Sequence, residues 1–244
     1  MLVVDKETMQ AIDTYAIKEL KIPALALVER AGLAIIKNIN LNQRRTFAVI
    51  VGIGNNGADG LACARNLMAR EYYVDIYIIG SLDKASYEFR ANYDACSKLT
   101  DRIFFVDTIQ DLENMEENIK NVSTIIEGIF GTGLNRTISG TYAYIIAMIN
   151  RSMKYIISID IPSGLDSTSG DSWGEVVDSD LIVSMQLMKN GIYERSRYKD
   201  KCIVEDIGIP QKAIDYILKE SWGSLFFWGK YYISKSTYKN MERS

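Results

Sequence analysis

Apolar runs that end in glycine and pass into helical segments recur through this chain, and they leave few folds open. Between Phe47 and Gly54 the sequence reads FAVIVGIG, an unbroken β-rich run closed by glycines. It lacks the polar alternation of a half-exposed strand and so predicts a strand covered on both faces. VDIYIIG (74–80), RIFFVD, TIIEGIFG and YIISIDIP repeat the theme, and LIVSM and CIVEDIG close the series. Helical periodicity falls at 7–20, after Pro23 in LALVERAGLAIIKNI, at 59–69, at 84–99 with Tyr87, Ala91 and Ala95 as one candidate inward stripe, and around 141–150. This alternation predicts an α/β fold, with a mostly parallel sheet and helices on both sides. In such sheets the ligand crevice lies beyond the carboxyl ends of the strands, here at the loops beginning at Gly54, Gly131 and Asp160.

The chain has 244 residues, 48% of them hydrophobic, enough for one large domain with a full core. We find no repeat or linker, so one domain over 1–221 is the simplest division. Residues 222–244, WGSLFFWGKYYISKSTYKNMERS, fit the α/β rhythm poorly and read as an aromatic, basic extension or the stub of a fused partner domain. Charge is nearly balanced, 28 basic against 31 acidic residues, so nothing advertises nucleic acid or an anionic membrane as partner. No stretch approaches the roughly 20 apolar residues of a membrane span. The acidic N-terminus resembles no targeting peptide, and Cys63, Cys96 and Cys202 match no zinc spacing, which fits a cytoplasmic home. The chain contains no histidine, which removes Ser-His-Asp and Cys-His activation and the HExxH zinc sites. Acid–base chemistry must come from Asp, Glu, Lys, Tyr or water.

Three loops carry the candidate chemistry. GIGNNGADG (52–60) follows the first buried strand and precedes a helix, an arrangement whose backbone amides suit phosphate. It lacks a P-loop lysine and the usual dinucleotide fingerprint, which disfavours a kinase or dehydrogenase, and by itself it also fits a plain tight turn. EGIFGTGLNRT (127–137) adds glycines, Thr132, Asn135 and Arg136, suited to a diphosphate or to a flexible turn. SIDIPSGLDSTSG (158–170) puts Asp160 at a strand end, as a helix cap or as an acid–base group.

GNNGADG, EGIFGTGLNR and DIPSGLD, with IPALALVERAG upstream and VEDIGIP downstream, together resemble the YjeF N-terminal domain family, the NAD(P)H-hydrate epimerases. The resemblance runs from about Met9 to Pro210. It implies a Rossmann-like three-layer αβα sandwich, a homodimer, and epimerisation of the R and S hydrates of NADH and NADPH (NADHX and NADPHX), paired with an ATP- or ADP-dependent dehydratase. Carried over by position, Asn55, Asn56, Gly57, Ala58 and Asp59 would bind substrate, as would Gly131, Thr132, Gly133, Leu134, Asn135, Arg136, Thr137 and Asp160. A potassium ion would sit against Asn56, Glu127 and Ser163. Ala58 stands where the family normally has glycine, Glu127 where it has aspartate, and Ile182, Ser184 and Met185 depart from its threonine-rich strand. Lys189, in LMKNG, matches a lysine the family often carries and equally fits a solvated lysine at a strand end.

In the hydrate, C6 is a carbinolamine carbon bonded to the ring nitrogen. Its configuration can scramble through an iminium or through ring opening to an aldehyde, and both routes need only proton transfer. We expect Asp160 to shuttle that proton, with Asp59 as the reserve candidate. The rival reading is a catalytically silent ligand-binding or scaffold module, which the altered positions would suit.

Overall fold

In the computed structural model, which describes residues 2–222, the chain runs β1 (Val3–Val4), α1 (Lys6–Lys18), α2 (Ala24–Lys37), β2 (Thr46–Gly52), α3 (Asn55–Met68), β3 (Tyr73–Ile79), α4 (Tyr87–Cys96), β4 (Ile103–Phe105) and α5 (Ile109–Ile119). There follow β5 (Thr124–Gly128), α6 (Gly140–Arg151), β6 (Tyr155–Ile159), β7 (Leu181–Met185), β8 (Met188–Lys189), the single turns α7 (Asn190–Tyr193) and α8 (Ser196–Lys199), β9 (Cys202–Glu205) and α9 (Gln211–Trp222). The aromatic extension expected at 222–244 lies, beyond Trp222, outside the described residues.

Seven strands form one sheet in the order β4-β3-β2-β5-β6-β7-β9, and every pairing in it is parallel. The unbroken apolar runs are explained by burial on both faces. On β2, Phe47, Val49 and Val51 pack with residues of α1, α2, α3, α4 and α9. Ala48 and Ile50 point the other way and pack with α5 and α6. Each such aliphatic side chain contributes roughly 1.5–3 kcal/mol on burial. The result is a three-layer αβα sandwich, as expected.

Strand order reverses between β2 and β5, so the carboxyl ends of these two strands splay their following loops apart. Two glycines make the joint possible. A Cβ on Gly57 would stand 1.8 Å from the Gly52 carbonyl oxygen, so α3 can press against the end of β2 only with glycine there. A Cβ on Gly32 would meet Cys63 N at 2.8 Å where α2 crosses α3.

A second, two-stranded parallel sheet joins β1 to β8, with Val4 opposite Lys189. No alternation signal announces strands this short. The pairing anchors the chain start beside β8, and α1, which leaves β1 directly, then runs along the cleft and packs on α9, Tyr15 stacking on Tyr216 at 4.4 Å.

Candidate active site

A cleft of about 980 Å³ opens at the switch point, at the upper end of the range for small-molecule sites. Its floor is the start of α3. The structure corrects the expected loop here, because the helix begins at Asn55 rather than near 59. Gly54 is the N-cap and makes no side-chain cap hydrogen bond, so the first-turn amides of α3 are left for solvent or ligand. Opposite it lies the loop after β5. Asn56 Nδ2 donates to the Phe130 carbonyl at 3.1 Å, tying the two walls together.

Asp160 ends β6 in a strained turn. Its φ is 64°, and Ile161 N donates to the Ile159 carbonyl at 2.7 Å, the i to i+2 bond of a γ-turn with positive φ. Such strain persists where surrounding structure over-determines it and clusters at functional sites. Here the clamps are Met185 N, which donates to Asp160 Oδ1 at 2.9 Å, and the Lys189 ammonium, which pairs with the same oxygen. Lys189 is 1% exposed; its ammonium also donates to the Met185 carbonyl at 2.7 Å and to Ser184 Oγ at 3.3 Å. The reading of Lys189 as a solvated strand-end lysine is therefore overturned, and Ser184, a departure from the family pattern, serves it.

Asp59 reaches the same spot from α3. It opens onto the cleft but is otherwise enclosed by protein, so burial pushes its carboxyl well above the ordinary range. Asp160 and Asp13 push it further, against the pull of Lys189. Asp13, on α1, was not singled out from the sequence. It lines the cleft, and burial raises its carboxyl to about 6, with Lys189 lowering it and Asp160 raising it. The overlooked signal was its place in the helix: Met9, Ile12 and Ala16 are the buried residues of α1, and Asp13 interrupts that stripe at helical spacing.

The expected ligand residues Asn55, Asn56, Gly57, Gly131, Thr132, Gly133, Leu134, Asn135 and Arg136 line the cleft with Asp59 and Asp160. Two expected ones do not. The Ala58 methyl is fully buried in the core cluster shared with α2 and α4, and Thr137 is exposed outside the cleft lining. Ala58 also answers the question its substitution raised: it sits inside α3, where φ is negative and a methyl costs nothing.

The residues expected to hold potassium gather behind the wall around Phe130. Ser163 Oγ accepts from Phe130 N at 2.9 Å, and Glu127 is 0% exposed on β5. However, the Glu127 carboxylate is already engaged. Oε1 accepts from Ser163 N at 3.0 Å and from the Ser158 hydroxyl; Oε2 accepts from Ser163 Oγ at 2.5 Å and Ile129 N at 3.3 Å. A hard cation asks for converging open oxygens, whereas here N–H and O–H donors converge on the carboxylate. This donor set does not fit a potassium ion. The longer glutamate side chain explains the difference, since it spans the distance to the serines of β6 and of the following loop.

These features define a doubly wound α/β protein with a phosphate-ready helix start and a carboxylate–lysine cluster in one cleft. The chain belongs to the family described as YjeF-related protein N-terminus, whose model matches residues 24–191. It is 65% identical over 218 residues to an NAD(P)H-hydrate epimerase of Anaerococcus prevotii, covering 89% of this chain and 100% of that one. It is 28% identical to a bifunctional NAD(P)H-hydrate repair enzyme of Moorella thermoacetica, covering 88% of this chain and 42% of that one. The crystal structure of yeast ynu0 shares the fold, with a TM-score of 0.75 at 20% identity over 93% of this chain and 98% of that one.

Proposed function

We propose that this protein is an NAD(P)H-hydrate epimerase that interconverts the R and S forms of hydrated NADH and NADPH at nicotinamide C6. The observation that carries the reading is the 65% identity to an epimerase matched over its whole length. The cleft supplies what the reaction needs. The uncapped start of α3 and the loop 131–136 offer amides and Arg136 to a diphosphate, and the Asp160–Lys189–Asp59 cluster offers proton transfer to the C6 hydroxyl. Ala58, a departure that would suit a silent binding module, is packed in the core and alters nothing in the cleft. The potassium site is not carried into this proposal, because the Glu127 carboxylate is satisfied by protein donors.

We further propose that the enzyme works beside an ATP- or ADP-dependent dehydratase, a pairing supported by the bifunctional relative of which this chain spans 42%, and that it acts as a homodimer in the cytoplasm. Among the described residues no helix is long and apolar enough to cross a membrane. The test is the rate at which purified protein converts (R)-NADHX, coupled to an excess of S-specific dehydratase and compared with the uncatalysed rate at the same pH. Acceleration is expected; none, in folded protein, would return the cleft to a binding role.

A further inference from the structure

Inversion at a carbinolamine carbon through an iminium asks for proton transfer at two faces of the ring. Hydroxyl leaves C6 from one face as water and needs an acid there. Water arrives at the other face and needs a base. Each group takes the opposite role in the return direction. One carboxyl can serve both faces only if the ligand turns over in the site.

The cleft holds more acids than a single transfer uses. Asp160, Asp59 and Asp13 come from the turn after β6, from α3 and from α1, and line one cavity with Lys189. Lys189 is paired with Asp160, both of whose protein donors land on Oδ1; among the described residues Oδ2 accepts no hydrogen bond. That leaves Asp160 the natural base. Among the described residues Asp13 forms no ion pair, and Lys189, Asp160 and Asp59 are the charged groups that face it from the strand ends and α3. Lys18 on its own helix, and Lys84, Glu88 and Arg136 on the cleft walls, complete the charged lining. Like charges crowded in a poorly solvated cluster cannot all ionise, so the cluster keeps a proton to give.

We propose that Asp13, delivered by α1, is the second acid–base residue of the epimerisation, serving the C6 hydroxyl on the face opposite the one Asp160 serves. The assignment rests on the epimerase reading. The Asp13 carboxyl gives its proton to the C6 hydroxyl, the C6–O bond breaks with its electron pair leaving on water, and the N1 lone pair becomes the C6=N1 π bond. Water then adds to C6 from the other face, the π pair returns to N1, and Asp160 takes the proton from the added water. One water leaves and one enters. The proton gained by Asp160 and lost by Asp13 is restored through solvent or through Asp59, which lines the same cavity. The β1–β8 pairing that sets α1 over the cleft thereby becomes part of the catalytic apparatus.

The experiment compares wild type, Asp13→Asn and Asp13→Glu as full chains, measuring kcat and KM for (R)-NADHX between pH 5 and 9 and the incorporation of oxygen from ¹⁸O-labelled water per epimerisation. We expect Asp13→Asn to lower kcat by about 10²-fold or more with KM within about threefold, and to remove from the profile an ionisation near pH 6 that Asp13→Glu retains. One labelled oxygen should enter per event in wild type. Wild-type kcat in Asp13→Asn, a lowered kcat with an unchanged pH profile, or retention of the original oxygen in wild type would each overturn the assignment. A folded wild type with no epimerase activity would instead overturn the function on which it rests, and the assignment with it.

Discussion

The Lys189 ammonium is buried against Asp160, sharing with Met185 N the single carboxylate oxygen Oδ1. The pair lies at the end of a strained turn, with Asp160 16% exposed and lining the cleft. Lysine here fixes where the carboxylate points, as a base in this position requires. Asp160→Asn should therefore lower turnover by about 10²-fold or more while ligand affinity stays within a few-fold, because the amide keeps the shape and one acceptor oxygen but cannot take a proton. Retained turnover would exclude Asp160 as the base. Lys189→Met should also lose turnover and unfold more easily, since removing one partner of a buried pair typically costs about 3–5 kcal/mol, less where water reaches the survivor as it does at Asp160.

Asp13 makes a prediction about stability that is independent of activity. In the folded chain its carboxyl releases its proton near pH 6, and in the unfolded chain near 3.8. Between those values the folded state binds more protons, so stability falls as pH rises through that window. Two pH units correspond to about 3 kcal/mol. Asp13→Asn removes the titration, so urea unfolding should show it more stable than wild type at pH 7.5 by about 2 kcal/mol, with the difference shrinking at pH 4. The Asp59 carboxyl is raised by burial in the same direction, and Asp59→Asn should behave alike. A variant equally or less stable at both pH values would show that the crowding of acids costs the fold nothing.

Neighbouring positions on α3 should respond in opposite ways. Gly57→Ala drives a methyl into the Gly52 carbonyl oxygen, and backbone that close cannot yield without moving the helix. We expect a loss of several kcal/mol or a shifted α3, with Asp59 carried out of place and turnover lost with it. Ala58→Gly, which restores the family's usual residue, only removes a buried methyl and loosens a helix, about 1 kcal/mol by propensity with little change in turnover. Thermal melts of the two variants side by side decide it; a neutral Gly57→Ala would mean that strand and helix do not meet as closely as described.

The sheet could be read from the sequence because its strands are buried on both faces and so are dominated by apolar residues, without the polar alternation of a half-exposed strand, as in β2, β3, β5 and β7. The loops that form the cleft followed from where the expected strands end. Less legible was whatever depends on a single residue in long-range company. The start of α3 was misplaced because Asn55, Asn56 and Gly57 are turn formers by propensity, while the close packing of α3 on β2 overrides propensity. The role of Lys189 depends on β7 and β8 folding back on β6, and that of Asp13 on a two-residue strand pairing, neither of which leaves a periodic signal. Family likeness supplied candidate cation residues, and the fit of that set to an ion turns on one methylene.

That methylene supports the last prediction. With aspartate at 127 the carboxylate would stop about one bond length short of Ser158 and Ser163, leaving a gap that a cation could bridge. With glutamate the gap is closed by four donors, and a hydroxyl pair, Ser158 to Ser179 at 2.5 Å, extends the network to the segment just before β7. Burial raises the Glu127 carboxyl, with the serine and backbone hydrogen bonds opposing that rise. Epimerase activity in wild type should therefore be the same, within about twofold, in potassium, sodium or choline chloride at equal ionic strength. Glu127→Asp should lose stability by about 1–3 kcal/mol as buried donors lose their acceptor, and its remaining activity should become dependent on added potassium. Potassium activation of the wild type would show instead that the serines turn away to admit the ion, and that the glutamate network is what the cation displaces.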